Sequence, residues 1–208
     1  MTKTMDIAEV LEKRKLQLVL KRLMDIAVSG GALLVLWPVL LLIALAIKID
    51  DPGPVFYRQV RVGRGGKTFR IFKFRTMIVD ADKKGLQITV GKDNRITRMG
   101  ALLRKTKLDE LAQLINVFTG EMSFVGPRPE VPFHVRHFKE EVPRYLVRQQ
   151  VRPGITGWAQ VNGLRGDTSI EERVKYDIWY IENWSIWLDF RILLMTAFGG
   201  MVNKDKMN

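Results

Sequence analysis

The stretch from Arg104 to Asn116, RKTKLDELAQLIN, contains the residue types best suited to chemistry. Asp109 and Glu110 are adjacent, and adjacent side chains on a helix point about 100° apart. One carboxylate can then face a phosphorus atom while the other helps to bind Mg²⁺. The partial positive charge of a first helical turn keeps a carboxylate ionised, and its free N–H groups bind phosphate oxygens. With basic residues just before the pair, the stretch predicts phosphoryl transfer.

The same stretch also has a purely structural interpretation. Thr106 followed three residues later by Asp109 fits a helix capping box. The residues expected on the inner side of this helix are apolar: Leu108, Leu111, Ala112, Leu114 and Ile115. Capping and chemistry use the same geometry, so the sequence leaves both open.

The longest apolar run lies near the N-terminus, from Ile26 to Ile47. As a helix this uncharged run rises about 33 Å, close to the ~30 Å thickness of the hydrocarbon core of a bilayer. It follows a charged segment, and no small-residue cleavage site precedes a mature chain. A permanent membrane segment is therefore expected, rather than a cleaved signal peptide.

Basic residues flank this run on both sides. They are Lys13, Arg14, Lys15, Lys21 and Arg22 before it and Lys48, Arg58, Arg61, Arg64 and Lys67 after it. Basic flanks prefer the cytoplasm, and Pro38 kinks a helix because it lacks an N–H and displaces the carbonyl of Leu34. A helix that enters one leaflet and returns satisfies both flanks. A plain spanning helix with a tolerated proline is the alternative.

Length and composition limit the possible folds and functions of the chain. Its 208 residues suit one globular domain behind a membrane-associated N-terminus. The absence of cysteine excludes disulfides, thiolate catalysis and cysteine zinc sites. Lys and Arg outnumber Asp and Glu by 34 to 22, and residues 51–110 carry most of the excess. Such a stretch suits the phosphates of nucleotides, nucleic acids or anionic lipids, with a solvated basic face as the simpler alternative.

Local patterns predict mostly helix with a small sheet. Alternation from residue 55 to 60, a glycine turn and a second β-rich run predict an antiparallel hairpin. Residues 81–100 are predicted as a loop, with a short strand or a helical turn within it left open. Helices are predicted in 100–106, 108–120, 129–149, 171–183 and 186–198. The aromatic cluster of Trp179, Tyr180, Trp184 and Trp187 suits a membrane surface or, equally, a packed core.

Several ordered blocks resemble the small monotopic polyprenyl-phosphate phosphoglycosyl transferases, the bacterial sugar transferase family. They are KRLMD at 21–25, DPGPVFYRQVRVG at 51–63, FRIFKFRTM at 69–77, RKTKLDELAQLINVFTGEMSFVGPRP at 104–129 and RPGITGWAQVNG at 152–163. The resemblance extends from about Lys21 to Thr196.

This resemblance implies an α+β, mostly helical protein. Residues 1–50 would form an N-terminal re-entrant membrane helix, apolar over 26–47 and broken at Trp37 and Pro38, where Trp37 replaces the family's serine. Residues 51–198 would form a catalytic domain with a small antiparallel β-hairpin and interfacial amphipathic helices, followed by a tail at 199–208. The resemblance places this domain on the cytoplasmic face of the bacterial inner membrane.

The resemblance also implies a two-step reaction. Asp109 would attack the sugar-bearing phosphate of a UDP-sugar, expel UMP and hold the phosphosugar until polyprenyl phosphate takes it. Mg²⁺ is the expected cofactor, bound by Asp109 and Glu110, with Glu110 assisting in metal or proton handling. The implied substrate-binding residues are Arg104, Arg128, Lys73, Arg75 and Pro127. Ala112 stands where the family motif has a proline.

The implied product is a polyprenyl-diphosphate-sugar, from the first membrane step of exopolysaccharide, capsule, O-antigen or glycoprotein synthesis. The expected partners are polyprenyl phosphate, a UDP-sugar, the membrane and downstream glycosyltransferases, with no nucleic acid and a homo-oligomer as an open alternative. The competing hypothesis is a membrane-anchored basic module that binds anionic lipid or nucleic acid without catalysis. Only the enzyme should lose turnover in Asp109→Asn.

Overall fold

A computed structural model describes residues 7–81, 93–166 and 168–202. The described chain is mostly helical, with a long apolar N-terminal helix and a small antiparallel two-stranded sheet, which confirms that part of the prediction. Residues 82–92 of the predicted loop and 203–208 of the predicted tail lie outside the described residues. The described residues form two compact units. Unit 1 consists of the described residues within 1–28, 60–69 and 117–208, and unit 2 consists of the described residues within 29–59 and 70–116.

The N-terminal region consists of two helices. Helix α1 (Ile7–Lys13) precedes α2 (Lys15–Asp50), which contains the whole apolar run. Helix α2 is long and apolar enough to cross a membrane, judged by length and composition, and only 11% of its most apolar window is buried. It continues without interruption through Pro38. The break implied at Trp37 and Pro38, and the re-entrant path, stay predictions.

Charged side chains fix the beginning of α2 within unit 1. Their contacts are Lys21 with Asp189 and the carbonyl of Val125, Arg22 with the carbonyls of Val117 and Phe118, and Asp25 with the N–H of Phe124. The KRLMD block therefore has a structural role here, because three of its five residues bind other parts of unit 1.

The predicted hairpin is confirmed. Strands β1 (Phe56–Val62) and β2 (Thr68–Phe74) pair through a short 3₁₀ turn at Arg64–Gly66. Gly65 and Gly66 have φ values of 66° and 76°, a region that glycine enters without steric strain. The Gly-Arg-Gly-Gly sequence thus supplies the turn that the pattern predicted.

A second, parallel pair of strands was not predicted. Strand β3 (Ser123–Val125) pairs with β4 (Gly154–Thr156), with Ser123 opposite Gly154 and Val125 opposite Thr156. A Cβ on Gly154 would lie 2.1 Å from the backbone nitrogen of Gly126. Glycine is needed there because the two backbones touch, and strands of three residues are too short to show a period of two.

The remaining helices match most of the predicted segments. They are α3 (Arg98–Thr106), a 3₁₀ helix (Leu108–Gln113), α4 (Leu114–Thr119), α5 (Pro132–Glu141), a 3₁₀ helix (Tyr145–Gln150), α6 (Trp158–Val161), α7 (Ile170–Glu182) and α8 (Ile186–Val202). The single helix predicted over 129–149 is wrong. It divides at Pro143, which cannot donate an N–H, and at Arg144, which has φ 61°.

Each unit has its own apolar core. In unit 2, α2, β2, α3 and the first 3₁₀ helix contribute Ile43, Ile47, Phe74, Leu103 and Ala112. In unit 1 the core includes Val125, Tyr180, Ile181, Trp184, Leu188 and Ile192. The C-terminal aromatic cluster is therefore split. Tyr180 and Trp184 are buried, whereas Trp179 and Trp187 are 43% and 76% exposed.

Candidate active site

The Asp109–Glu110 pair lies on a tight turn of unit 2. Helix α3 ends at Thr106, Lys107 takes a left-handed conformation with φ 58°, and the 3₁₀ helix Leu108–Gln113 begins directly after it. Leu108 and Leu111 pack against the unit 2 core. These apolar anchors fix the turn and leave the two acidic side chains only partly buried.

The predicted capping box is wrong. Thr106 belongs to the last turn of α3, and its hydroxyl donates to the carbonyl of Leu102 at 2.8 Å. Lys107 is the residue before the 3₁₀ helix, and no side chain caps that end. The left-handed Lys107 ends α3 and redirects the chain one residue later than the sequence pattern predicted. Thr106 is therefore not the cap, although the Asp109 carboxylate accepts a backbone hydrogen bond in the first turn of the 3₁₀ helix.

The environment of Asp109 raises the pKa of its carboxyl. Burial is the largest cause, and the adjacent Glu110 charge adds to it, while Lys73 and Arg104 lower the pKa. Burial disfavours the ionised form because it removes water from the charge. From the sequence, a helix terminus was expected to hold this carboxylate ionised. In the structure Lys73, a backbone hydrogen bond and Arg104 all lower the pKa of Asp109, but desolvation outweighs them.

Lys73 connects the hairpin to the acidic pair. Its ammonium nitrogen lies 2.9 Å from the Oε1 of Glu110, and both side chains are about one quarter exposed, at 23% and 28%. Lys73 is also the strongest of the cations that lower the pKa of Asp109. A single ammonium group thus contacts one carboxylate and stabilises the charge of the other.

Asn116 positions the strand that carries Lys73. Its side chain is fully buried, accepts from the N–H of Phe72 at 2.9 Å and donates to the carbonyl of Arg70 at 2.8 Å. An amide that fills both roles substitutes for a missing strand partner. Sequence reasoning missed Asn116, although a polar residue among the apolar residues of LINVF was a signal.

Arg104 is fixed at the end of α3. Its Nε donates to the hydroxyl of Thr76 at 2.8 Å. The start of α3 packs directly on the same residue, since a Cβ on Gly100 would lie 2.0 Å from the Thr76 carbonyl oxygen. The Nε contact holds the guanidinium in one orientation. Its charge acts on Asp109, whose pKa it lowers.

Arg75 makes a different kind of contact within unit 2. Its side chain is buried, and a guanidinium nitrogen lies 2.9 Å from the carboxylate of Asp51. It also donates to the Asp51 carbonyl. These contacts tie β2 to the chain that follows α2. The substrate-binding role predicted for Arg75 stays a prediction beside this structural one.

Arg128 and Pro127 belong to unit 1, in the loop 126–130 after β3. Four consecutive carbonyl groups of this loop accept hydrogen bonds from three parts of unit 1: β4, the 3₁₀ helix Tyr145–Gln150 and the end of β1. The donors are Gly154 N–H to Pro127, Arg148 to Arg128, Arg61 to Pro129 and Val62 N–H to Glu130. Prolines at 127 and 129 fix φ. The backbone that carries Arg128 is therefore rigid.

A buried ionic network supports this loop. Arg148 is buried, lies 2.8 Å from the carboxylate of Asp177 on α7 and donates to the Arg128 carbonyl at 2.9 Å. Arg173 pairs with Glu130 at 3.1 Å. Neither Arg148 nor Asp177 was predicted from the sequence. Asp177 lies on the same face of α7 as the buried Val174, Ile178 and Ile181, which was the available signal.

Both predicted metal ligands, Asp109 and Glu110, fit Mg²⁺. Among the described residues, no group of three or more His, Asp or Glu side chains is close enough to bind a metal. Mg²⁺ is nevertheless often held by one or two carboxylates together with substrate phosphates. Asp109 and Glu110 supply that number of carboxylates, and the Lys73 contact to Glu110 would have to yield to the ion.

Comparison with known proteins identifies the family. The bacterial sugar transferase family matches residues 16–203, so the chain belongs to it. Among the relatives is the UDP-glucose:undecaprenyl-phosphate glucose-1-phosphate transferase of Escherichia coli strain K12, 47% identical over 89% of this chain and 41% of that protein.

Two further relatives differ from the Escherichia coli protein in name, and one of them is matched over nearly its whole length. The UDP-N-acetylgalactosamine-undecaprenyl-phosphate N-acetylgalactosaminephosphotransferase of Aeromonas hydrophila is 44% identical over 86% of this chain and 44% of its own. The exopolysaccharide production protein PSS of Rhizobium leguminosarum bv. phaseoli is 47% identical over 88% of this chain and 95% of its own. The chain thus spans about two fifths of the first relatives it matches and nearly all of the last.

Proposed function

We propose that this protein transfers a sugar phosphate from a UDP-sugar to polyprenyl phosphate, releasing UMP. The carrying observation is a partly buried carboxylate, Asp109, beside a second carboxylate and two fixed cations, Lys73 and Arg104. The names of the relatives support this assignment, since they describe transfer from UDP-sugars to undecaprenyl phosphate.

The proposed reaction has two steps at one phosphorus atom. A carboxylate oxygen of Asp109 forms a bond to the phosphorus that bears the sugar, and the bond from that phosphorus to the UMP oxygen breaks. An oxygen of polyprenyl phosphate then attacks the same phosphorus, and the Asp109 carboxylate leaves. A covalent intermediate divides one difficult transfer into two easier ones. Both steps release an oxygen anion.

The cations have separate roles in this proposal. Lys73 and Arg104 hold Asp109 ionised against the effect of burial, and they neutralise charge on the phosphates. Arg128 binds the phosphates from its rigid loop, and Arg75 and Pro127 contribute to binding as further substrate residues. Mg²⁺, held by Asp109 and Glu110, would neutralise phosphate charge as a Lewis acid.

A half-reaction tests the chemistry. Protein mixed with a UDP-sugar and Mg²⁺ in the absence of lipid should release about one UMP per active site in a burst, and intact-mass analysis should show the added sugar phosphate. Asp109→Asn should abolish the burst, while Glu140→Gln, an exposed acid on α5, should not change it. A full burst from Asp109→Asn would refute the proposal and favour the lipid-binding module.

The sugar is tested by a panel. The relatives name glucose and N-acetylgalactosamine, so UDP-glucose and UDP-N-acetylgalactosamine are the first donors to compare by UMP burst. We further propose that the product enters exopolysaccharide synthesis, as the name of the Rhizobium relative suggests. Glycosyltransferases that extend the lipid-linked sugar are the expected next enzymes.

We also propose that α2 is re-entrant and that both ends face the cytoplasm. The basic residues on both flanks and Pro38 near the middle of the run support this topology. The cysteine-free chain allows single cysteines at the exposed positions Glu12 and Lys67. In spheroplasts an impermeant maleimide should label neither until the membrane is opened. Labelling of only one of them from outside would indicate a spanning helix.

A further inference from the structure

Unit 1 contains a cleft of about 50 Å³ that the proposed chemistry does not use. Its wall combines apolar and charged side chains from α1, α2, the hairpin turn, β3, the segment before β4, and the end of α7. Three basic residues and one acidic residue line it, together with apolar side chains. The basic residues are Lys21, Arg64 and Arg152, the acid is Asp25, and the apolar residues include Leu11, Leu18, Val125, Val151 and Trp184. The volume suits a phosphate-sized group rather than a nucleotide sugar.

Two arginines near this cleft are fixed by neutral carbonyl groups. Arg152 Nε donates to the Gly120 carbonyl at 3.0 Å, and Arg22 donates to the Val117 and Phe118 carbonyls at 2.6 and 2.7 Å. These carbonyls lie at the C-terminal end of α4, where cations are favoured. Hydrogen bonding to the end of α4 thus accounts for the position of the Arg22 guanidinium and for one nitrogen of Arg152. It does not account for the position of Arg64.

Arg64 lies in the hairpin turn and has an exposed side chain. It lines the cleft together with Arg152. Its turn lies against the 3₁₀ helix Tyr145–Gln150, since a Cβ on Gly66 would lie 3.5 Å from the Gln149 side-chain oxygen. The β1–β2 turn therefore brings a guanidinium to a cleft that is already basic.

The charges of two neighbouring guanidinium groups act on Arg152. Burial, followed by the charges of Arg22 and Arg64, lowers the pKa of Arg152, and Asp25 is the acid that opposes them. Asp25 also accepts a hydrogen bond from the Phe124 N–H. Like charges that converge on a partly desolvated cleft are stabilised when an anion occupies it.

The surroundings indicate which anion. Met24 and Val28 lie three and seven residues after Lys21, on its side of α2, and their apolar side chains are 47% and 55% exposed. Arginines bind phosphate through paired N–H groups, while the neighbouring apolar surface suits a hydrocarbon chain. A soluble phosphate needs only the first of these features, and a lipid phosphate uses both.

We propose that this cleft binds the phosphate head group of a lipid, held by Arg64 and Arg152. The proposal rests on the proposed function for its membrane setting, but not on the chemistry at Asp109. Polyprenyl phosphate and an anionic phospholipid share the recognised group, and binding measurements distinguish these two sources.

The test uses the full chain in detergent, with bound lipid counted by native mass spectrometry. Undecaprenyl phosphate, phosphatidylglycerol and inorganic phosphate are offered separately, and inorganic phosphate is also added as a competitor. Arg64→Glu should reduce lipid binding at least tenfold because it reverses a charge at the cleft. Arg136→Glu reverses the charge of an exposed arginine on α5; it is the matched control and should bind as wild type does.

Arg64→Glu is the primary variant because the side chain is exposed and lies outside the core, so folding should be retained, as thermal unfolding will show. Arg64→Gln combined with Arg152→Gln is the second variant. Tight binding of undecaprenyl phosphate alone identifies a site selective for the polyprenyl chain, and binding of both lipids identifies a bilayer phospholipid site. Wild-type binding by both variants, or equal affinity for inorganic phosphate, would overturn the proposal.

The donor half-reaction separates this inference from the proposed function. Arg64→Glu should release the same UMP burst as wild type, because no lipid takes part in that step. Loss of lipid binding with a normal burst supports both proposals. If wild type gives no burst but Arg64→Glu still abolishes lipid binding, the transferase assignment falls and the lipid site stands.

Discussion

At the scale of single residues, the chemistry depends on the charge state of Asp109. Burial and Glu110 favour its protonated form, whereas Lys73 and Arg104 favour the ionised form. The folded pKa lies above the ordinary value, so Asp109 is ionised, and nucleophilic, only as pH rises through this raised pKa. When the pH is lowered, the rate of UMP release should therefore begin to fall at a higher pH than it would for an exposed aspartate.

On the acid side of the pH–rate profile, which we call the acid limb, the rate of UMP release falls as Asp109 becomes protonated. Two substitutions should move this acid limb in opposite directions. Lys73→Met removes the strongest effect that lowers the pKa of Asp109, so the limb should move to higher pH. Glu110→Gln removes a neighbouring negative charge, so the limb should move to lower pH. The measurement is the burst rate against pH at one Mg²⁺ concentration.

Lys105→Met is the control for these variants, since this exposed lysine is not among the groups that shift Asp109. Its limb should coincide with that of wild type. Movement of the Lys73→Met and Glu110→Gln limbs in the same direction would show that another group controls the pH dependence.

At the scale of elements, hydrogen bonds from a buried side chain hold β2 in place where no further strand pairs with it among the described residues. Asn116 connects α4 to β2 by two hydrogen bonds to its backbone. Asn116→Ala leaves the Phe72 N–H and the Arg70 carbonyl without this partner, which costs about 0.5–1.5 kcal/mol for each lost hydrogen bond. The burst rate should fall as well, because β2 carries Lys73.

Urea unfolding and the burst assay together check the Asn116 variant. Asn162→Ala is its control, since this exposed side chain also donates to a backbone carbonyl, that of Trp158. The control should change stability by less than about 1 kcal/mol. A stable Asn116→Ala protein with a normal burst would show that Asn116 does not position β2.

The loop 126–130 should depend on a buried ion pair. Arg148→Met leaves the Asp177 carboxylate buried without its partner, and breaking such a pair costs about 3–5 kcal/mol. Arg144→Met is matched in chemistry, but its pair with Glu182 is exposed, at 41% and 29%, so about 1 kcal/mol or less is expected. Urea unfolding compares the two variants. Equal losses would contradict a structural role for Arg148.

Sequence patterns and structure agree where local signals are strong. The hairpin was predicted from the alternation in β1 and the glycine turn at 65 and 66. The long N-terminal helix was predicted from the apolar run of α2. The two parallel strands were not predictable, because β3 and β4 are three residues long and pair across 30 intervening positions. The grouping of Asp109, Glu110 and Arg104 followed from spacing, whereas Lys73 reaches them only through the fold.

At the scale of the whole molecule, the path of α2 decides where the protein lies. Pro38 lies inside an uninterrupted helix, and a proline inside a helix costs about 3 kcal/mol. If the proline directs a re-entrant path, Pro38→Ala should allow a fraction of molecules to span the membrane. The Glu12→Cys label should then become accessible in intact spheroplasts.

Gly31→Ala is the control for Pro38→Ala, because this substitution lies in the same helix and no atom lies within 4 Å of the added Cβ. Its labelling should equal that of the parent protein. Unchanged labelling in Pro38→Ala would show that the flanking charges, rather than the proline, determine the topology.

The contacts of Lys21, Arg22 and Asp25 have a practical consequence for protein production. These side chains precede the apolar run but bind β3, α4 and α8 of unit 1. A water-soluble fragment made by deleting everything before residue 51 would therefore lose internal partners of its own core as well as its anchor. Preparations should retain residues 15–28, even where detergent or lipid is needed to keep the chain in solution.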